Sequence, residues 1–142
     1  MATTDTSIRS SCHCGAITLT VPRLPVYINV CQCTLCRRYG AAWGYYYTDE
    51  VKIETKPNAV TKQYIWGDKN LSFNFCDNCG CVCYWWPINP PSADGGEIEM
   101  GLNTNNANPE LLKFVDRKFD YSVLKSPLGS KATPHADDPA KY

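Results

Sequence analysis

Hydrophobic positions alternate with polar ones along most of this chain, and nowhere do they hold a 3.6-residue period for three turns. Ile17, Leu19 and Val21 fall on one side of a run whose other side is Ala16, Thr18 and Thr20. That alternation reads as a half-buried strand, closed by Pro22 and Pro25. Further strands are expected over residues 26–30, 43–48, 51–54, 63–66, 71–75, 81–86 and 98–102. Each is short, rich in β-branched or aromatic side chains, and bounded by Gly, Pro, Asn or Asp. Gly67-Asp68-Lys69-Asn70 has the composition of a hairpin loop between two of them.

Helical signals are brief. Thr34 is placed to cap a turn over residues 35–39 that Gly40 would end. Asn108 and Pro109 supply a cap and a first-turn proline ahead of Leu111 and Leu112. The expected fold class is therefore mainly β, of antiparallel sheets with one or two short helical turns. A single domain over residues 8–125 is expected, with a loop rich in Pro, Asn and Gly over 87–96. Residues 126–142 hold few apolar side chains and read as an extended tail, able to order against a partner chain as in a homodimer.

Composition narrows the function. The 142 residues carry 14 basic and 14 acidic side chains, a net charge of zero. No basic field exists to attract nucleic acid. The first residues lack the charged and apolar segments of a secretory signal, and no apolar run approaches the ~20 residues of a membrane span. A soluble, cytoplasmic setting is expected, with no nucleic-acid or membrane partner. Two histidines, His13 and His135, are too few for a three-histidine metal site, so the chemistry must come mainly from the nine cysteines. An odd number of cysteines in a reducing compartment points to thiols or metal-bound thiolates rather than a disulfide framework.

Seven cysteines fall into spaced motifs: Cys12-His13-Cys14-Gly15, Cys31-Gln32-Cys33-Thr34-Leu35-Cys36, and Cys76-Asp77-Asn78-Cys79-Gly80. In extended chain, residues i and i+2 face the same way, so C-x-C presents two sulfurs side by side. C-x-x-C followed by glycine closes a tight knuckle around a metal. One pair of each kind completes a tetrahedral four-sulfur zinc site, and Cys12, Cys14, Cys76 and Cys79 form one such set. Spacing alone leaves the pairing of clusters open. Closure of this type contributes on the order of 10 kcal/mol to folding in small zinc peptides.

The central motif combines both spacings, so Cys31, Cys33 and Cys36 converge without a fourth ligand. Three protein ligands leave zinc a position for water or substrate. Arg37 and Arg38 follow directly; they are placed to offset the negative charge or bind a substrate carboxylate, and equally to be solvated charges on a helical turn. Cys81 and Cys83 alternate as packed strand residues do, although Cys81 is near enough to compete as a ligand. His13 and His135 read as incidental side chains. Of Trp43, Tyr45, Tyr46, Tyr47, Trp66, Trp85 and Trp86, most are expected in the core, with a minority lining a cleft. Asp68 and Glu97 have no partner readable from sequence, and neither is assigned as a catalytic base.

With order and spacing intact from Cys12 to Val123, these three motifs resemble the glutathione-dependent formaldehyde-activating enzyme family, whose domain is shared with centromere protein V. The resemblance implies a zinc-containing β-tent fold, a structural zinc on Cys12, Cys14, Cys76 and Cys79, and a second, open zinc on Cys31, Cys33 and Cys36. It implies two zinc ions per chain, the second labile. It further implies a lyase or synthase making or breaking a carbon–sulfur bond between a small thiol such as glutathione and a small carbonyl compound such as formaldehyde. Gln32 stands where the family often has histidine, so that position carries no titratable group here. Two other readings remain: a non-enzymatic zinc module that binds a protein, and a secondary-metabolism enzyme using the open zinc on another electrophile such as an imine.

Overall fold

The computed structural model of the chain describes residues 6–89 and 98–121. Among the described residues ten strands form two sheets, in keeping with the alternating pattern. The smaller joins β1 (Ile8–Ser11), β2 (Ile17–Val21) and β5 (Lys52–Thr55) in the order β1-β2-β5, antiparallel throughout. The larger contains β3 (Ile28–Cys31), β4 (Trp43–Tyr47), β6 (Thr61–Ile65), β7 (Leu71–Cys76), β8 (Val82–Pro87), β9 (Glu99–Asn103) and β10 (Arg117–Asp120). Its order is β10-β3-β4-β9-β8-β7-β6. Among the described residues, helices are limited to α1 (Cys36–Tyr39), α2 (Pro109–Leu112) and a 3-10 turn at Thr104–Asn106. The 67–70 loop joins β6 to β7 as expected, while residues 90–97 and the 126–142 tail, with Glu97 and His135, lie outside the described residues.

The structure corrects the sequence reading in several places. Most expected strands shift by one or two residues, as in the moves of 26–30 to Ile28–Cys31, which leaves Val26 exposed, and of 63–66 to Thr61–Ile65. Strands β1 and β10 were not expected. In β1 the inward position after Ile8 is Ser10, 1% exposed, whose hydroxyl donates to the Asn103 carbonyl at 3.2 Å. A hydrogen-bonded serine thus occupies a core-facing site and hides the alternation. In β10 three of four residues are exposed, as on a charged sheet edge. It pairs with β3 in parallel, placing Asp120 opposite Cys31, so the larger sheet is not wholly antiparallel. Thr18 is buried beside Ile17 and Leu19, because β2 is the central strand of its sheet.

Two apolar clusters organise the interior. One packs Ile8, Ile17, Leu19 and Val21 of the smaller sheet against Tyr46, Met100 and Leu102 of the larger. The other gathers Trp43, Phe73 and Val82 around Cys36. Between them runs Asn103, 5% exposed: its amide donates to the Val82 carbonyl at 2.8 Å, and its Oδ1 accepts from the Ala42 and Asn105 backbone at 3.3 and 3.2 Å. That single side chain satisfies buried backbone groups from three segments, which makes its burial tolerable.

Candidate metal centres and an aromatic cleft

The two sulfur clusters sit at strand ends, where the pleat gives way to turns. Cys12 and Cys14 flank the turn between β1 and β2, and Cys76 ends β7 just before the knuckle to β8. The knuckle closes through Gly80 N–H to the Cys76 carbonyl at 2.8 Å, and Gly80 has φ of 78°, a left-handed conformation that a side chain would strain. The four sulfurs of Cys12, Cys14, Cys76 and Cys79 all lie within 4.8 Å of one another. The separations of Cys14 from Cys12 and Cys76 are 3.7 and 3.6 Å. A tetrahedron with zinc–sulfur bonds of about 2.3 Å has edges of about 3.8 Å, whereas a disulfide needs about 2 Å. All nine cysteines are unbridged. The donor set therefore fits a tetrahedral metal site. Because Cys12 and Cys14 lie in the β1–β2 turn of the smaller sheet and Cys76 and Cys79 at the β7–β8 knuckle of the larger, an ion here would bolt one sheet to the other.

Cys31, Cys33 and Cys36 form the second set, also within 4.8 Å of one another, and no other Cys, His, Asp or Glu among the described residues joins it. Cys31 ends β3 and Cys36 opens α1. Thr34 does not cap this helix. The Cys36 N–H donates instead to Cys33 Sγ at 3.2 Å, so a sulfur takes the place expected of a hydroxyl. The indole Nε1–H of Trp43 donates to Cys36 Sγ at 3.3 Å. Such donors stabilise sulfur in its thiolate form. Donation from Cys31 and Cys36 holds the Cys33 thiol far down, at about 2; holding that bond raises Cys31 to about 11, and Cys36 rises with it. Three sulfurs this close carry one negative charge comfortably and resist a second and third. A bound divalent cation removes that resistance, so these residues fit zinc as well.

Above the triad lies a cleft of about 460 Å³. Its walls are the rings of Trp43, Tyr45, Trp66, Phe73 and Trp85, with Leu71. Four of the seven Trp and Tyr residues singled out above thus face the cleft, more than the expected minority. The adjacent Trp85 and Trp86 part company: Trp85 joins the cleft, and Trp86 packs into the core beside Tyr84 with ring centroids 6.0 Å apart. This is the two-residue side-chain period of a strand. Burial pushes the Tyr45 phenol up to about 12, keeping it protonated at neutral pH.

Gly101 is the seat of this wall. It pairs with Tyr45 on one side and Trp85 on the other, and those rings meet over it with centroids 6.2 Å apart. A Cβ at Gly101 would lie 1.9 Å from Trp85 Nε1 and 2.5 Å from Cδ1. Gly101→Ala is expected to drive the indole off its seat and destabilise the domain by roughly 1–3 kcal/mol. A fall in melting temperature together with a shifted tryptophan emission would register it; a melting curve matching the parent's would contradict the packing described.

Other predicted residues fall elsewhere. Arg37 and Arg38 are absent from the cleft lining, and the Arg38 guanidinium turns back to the Thr34 carbonyl and hydroxyl, both at 2.9 Å. Gln32 donates to the Val30 carbonyl at 3.2 Å. His13 is exposed on the β1–β2 turn. Cys83 is 1% exposed and donates to the Cys81 carbonyl, as a packed strand residue, and Cys81 stands outside the four-sulfur set. Asp68 and Asp120, which sequence did not single out for the site, both border the cleft. Asp120 arrives there through the parallel pairing of β10, a long-range contact that no local pattern announces.

The arrangement defines a mainly β protein with one closed four-sulfur site and one open three-sulfur site beneath a cleft. The sequence model of the glutathione-dependent formaldehyde-activating enzymes matches residues 7–116, and the chain belongs to that family. A crystal structure of a Rhodobacter sphaeroides protein, solved by structural genomics, is similar with a TM-score of 0.60 and 23% identity, covering 78% of this chain and 99% of that one. This likeness establishes the shared fold. A search of curated proteins finds no match. No described helix is long and apolar enough to cross a membrane.

Proposed function

We propose that the chain is a zinc-dependent carbon–sulfur lyase or synthase acting on an adduct of a small thiol and a small carbonyl compound, S-hydroxymethylglutathione being the family's namesake case. The observation that carries this reading is the contrast between the two sulfur sets: four ligands where the sheets are tied, and three where the cleft opens. Cys12, Cys14, Cys76 and Cys79 would hold a structural zinc, and Cys31, Cys33 and Cys36 the reactive one. Zinc at the triad would favour the thiolate form of an incoming thiol and polarise nearby oxygen.

The protein's own groups do the rest. The aromatic walls exclude water and restrict the reactants to the floor of the cleft. In the forward direction the thiol gives its proton to solvent water, from which Tyr45 is later reprotonated; its sulfur pair forms the carbon–sulfur bond, and the carbonyl π pair moves onto oxygen. That oxygen then takes a proton, for which the Tyr45 hydroxyl, still protonated at neutral pH, is the suited donor in the lining. Cleavage reverses each movement. The Cys36 N–H and the Trp43 indole steady the triad sulfurs throughout. Arg37 and Arg38, offered by sequence as carboxylate contacts, are given no part.

Exchange NMR between formaldehyde, glutathione and their adduct tests the reading. The zinc-loaded protein is expected to raise the exchange rate above background, and prior stripping with a chelator to abolish the increase. Background rates with every small thiol tried would refute a lyase.

A further inference from the structure

The described polar groups of the cleft offer no cationic partner to the carboxylates of glutathione. Glutathione brings two carboxylates, yet no Lys or Arg among the described residues lines this cleft. Its charged side chains are Asp68, at the tip of the β6–β7 hairpin, and Asp120, beside Cys31 on β10. The three sulfurs with zinc would carry a formal charge of −1, so a substrate carboxylate would find no positively charged side chain in the described lining to offset it.

Asn29 adds an independent sign. This side chain is 8% exposed and lines the cleft, with its amide nitrogen donating to the Tyr45 hydroxyl. Its Oδ1 is buried with no hydrogen-bond partner. A buried acceptor left unmet costs about 1–3 kcal/mol and is rarely kept without a reason. A ligand bearing N–H donors would relieve it. The surrounding indole and phenol faces favour a positively charged group, through the attraction of a cation to the ring quadrupole. An orphaned acceptor, bordering carboxylates and several ring faces describe one kind of guest.

We propose that the thiol handled in this cleft is an aminothiol: a compact molecule whose sulfur reaches the Cys31–Cys33–Cys36 triad and whose ammonium group is held by Asn29 Oδ1, Asp120 and the aromatic walls, with Asp68 at the entrance. This rests on the thiol-handling reading of the same site and names its substrate class. Specificity comes from charge: the cleft accepts a cation beside the reacting sulfur and repels a carboxylate there.

Calorimetry on the zinc-loaded protein tests this with 2-aminoethanethiol, its N-acetyl derivative and glutathione. Two probes without sulfur, 2-phenylethylamine and 3-phenylpropanoate, report on charge alone. The free aminothiol is expected to bind about tenfold or more tightly than either other thiol, the scale of one well-placed ionic contact. Asp120→Asn should cut that preference several-fold, and Asp68→Asn, on an exposed hairpin that tolerates it, should cut it less. The N-acetyl compound should be indifferent to both changes. In Cys33→Ser the thiols should lose affinity while 2-phenylethylamine keeps its own. Glutathione binding as tightly as 2-aminoethanethiol would overturn the proposal and leave the lyase reading intact. A preference for 2-phenylethylamine over 3-phenylpropanoate without binding of any thiol would uphold the cation site and refute the thiol reaction. Failure of both amines to bind would also overturn the proposal.

Discussion

Replacing Cys76 with serine is expected to abolish the cooperative melting of the domain or lower its midpoint by at least about 15 °C. The scale follows from the architecture. Net stability for a domain of this size is roughly 5–15 kcal/mol, and structural zinc in small peptides contributes about 10–16 kcal/mol. Loss of ~4 kcal/mol alone moves a midpoint by roughly 4 °C per kcal/mol. Cys76 is 1% exposed, ends β7, and its sulfur lies 3.6 Å from that of Cys14, 62 residues earlier. Serine keeps the size of the side chain but not the soft donor. The smaller sheet would then be held to the larger by apolar packing, the Ser10 contacts and the Tyr46 hydroxyl on the Arg23 carbonyl just beyond β2. Differential scanning calorimetry with metal analysis reads the result. A melting curve like that of the parent would mean that these four sulfurs bind nothing of structural consequence.

Replacing Cys33 with serine should have the opposite profile. Zinc content is expected to fall from about two per chain to about one, the thermal midpoint to move by only a few degrees, and catalysed thiol–carbonyl exchange to drop to background. The triad belongs to the cluster around Trp43 and Phe73 and ties no strand of the smaller sheet. Removing its metal leaves the β-sheet ladders untouched. Cys33 does accept the Cys36 N–H at the start of α1, so that short helix should lose some order. If Cys33→Ser melts as badly as Cys76→Ser, the central site is structural, and the lyase proposal loses its footing. If zinc content stays at the parental level, the triad is not a ligand set.

These expectations draw unevenly on sequence. The cysteine spacings carried each sulfur cluster directly, because C-x-C and C-x-x-C constrain sulfur positions over a few residues, where local geometry governs; the pairing of the first cluster with the third, 62 residues on, came only with the family resemblance. Apart from β10, the strands of the larger sheet were legible for the same reason: alternation over four to six residues is a local property. What escaped was set by distant contacts. Ser10 reads as polar surface until Asn103, 93 positions away, provides its carbonyl. Asp120 reads as the end of a charged segment until β10 docks beside β3. The cleft escaped for a further reason. A ring facing the interior and a ring facing a pocket occupy the same kind of alternating position, and sequence does not tell Trp85 from Trp86. Thr34 had the composition of a cap, yet the Cys33 sulfur fills that place, and the threonine oxygens receive Arg38 instead.

The separation of the two sulfur sets into different packing clusters bears on how such a protein diversifies. Under the proposed function the scaffold's integrity would reside in an ion between the sheets, and the reactivity in a triad that contributes little to holding them. Mutations that retune or erase the reactive pocket need not cost solubility or a defined shape. A descendant that lost Cys31, Cys33 and Cys36 altogether would retain a rigid surface with an aromatic hollow, ready for recruitment as a recognition domain.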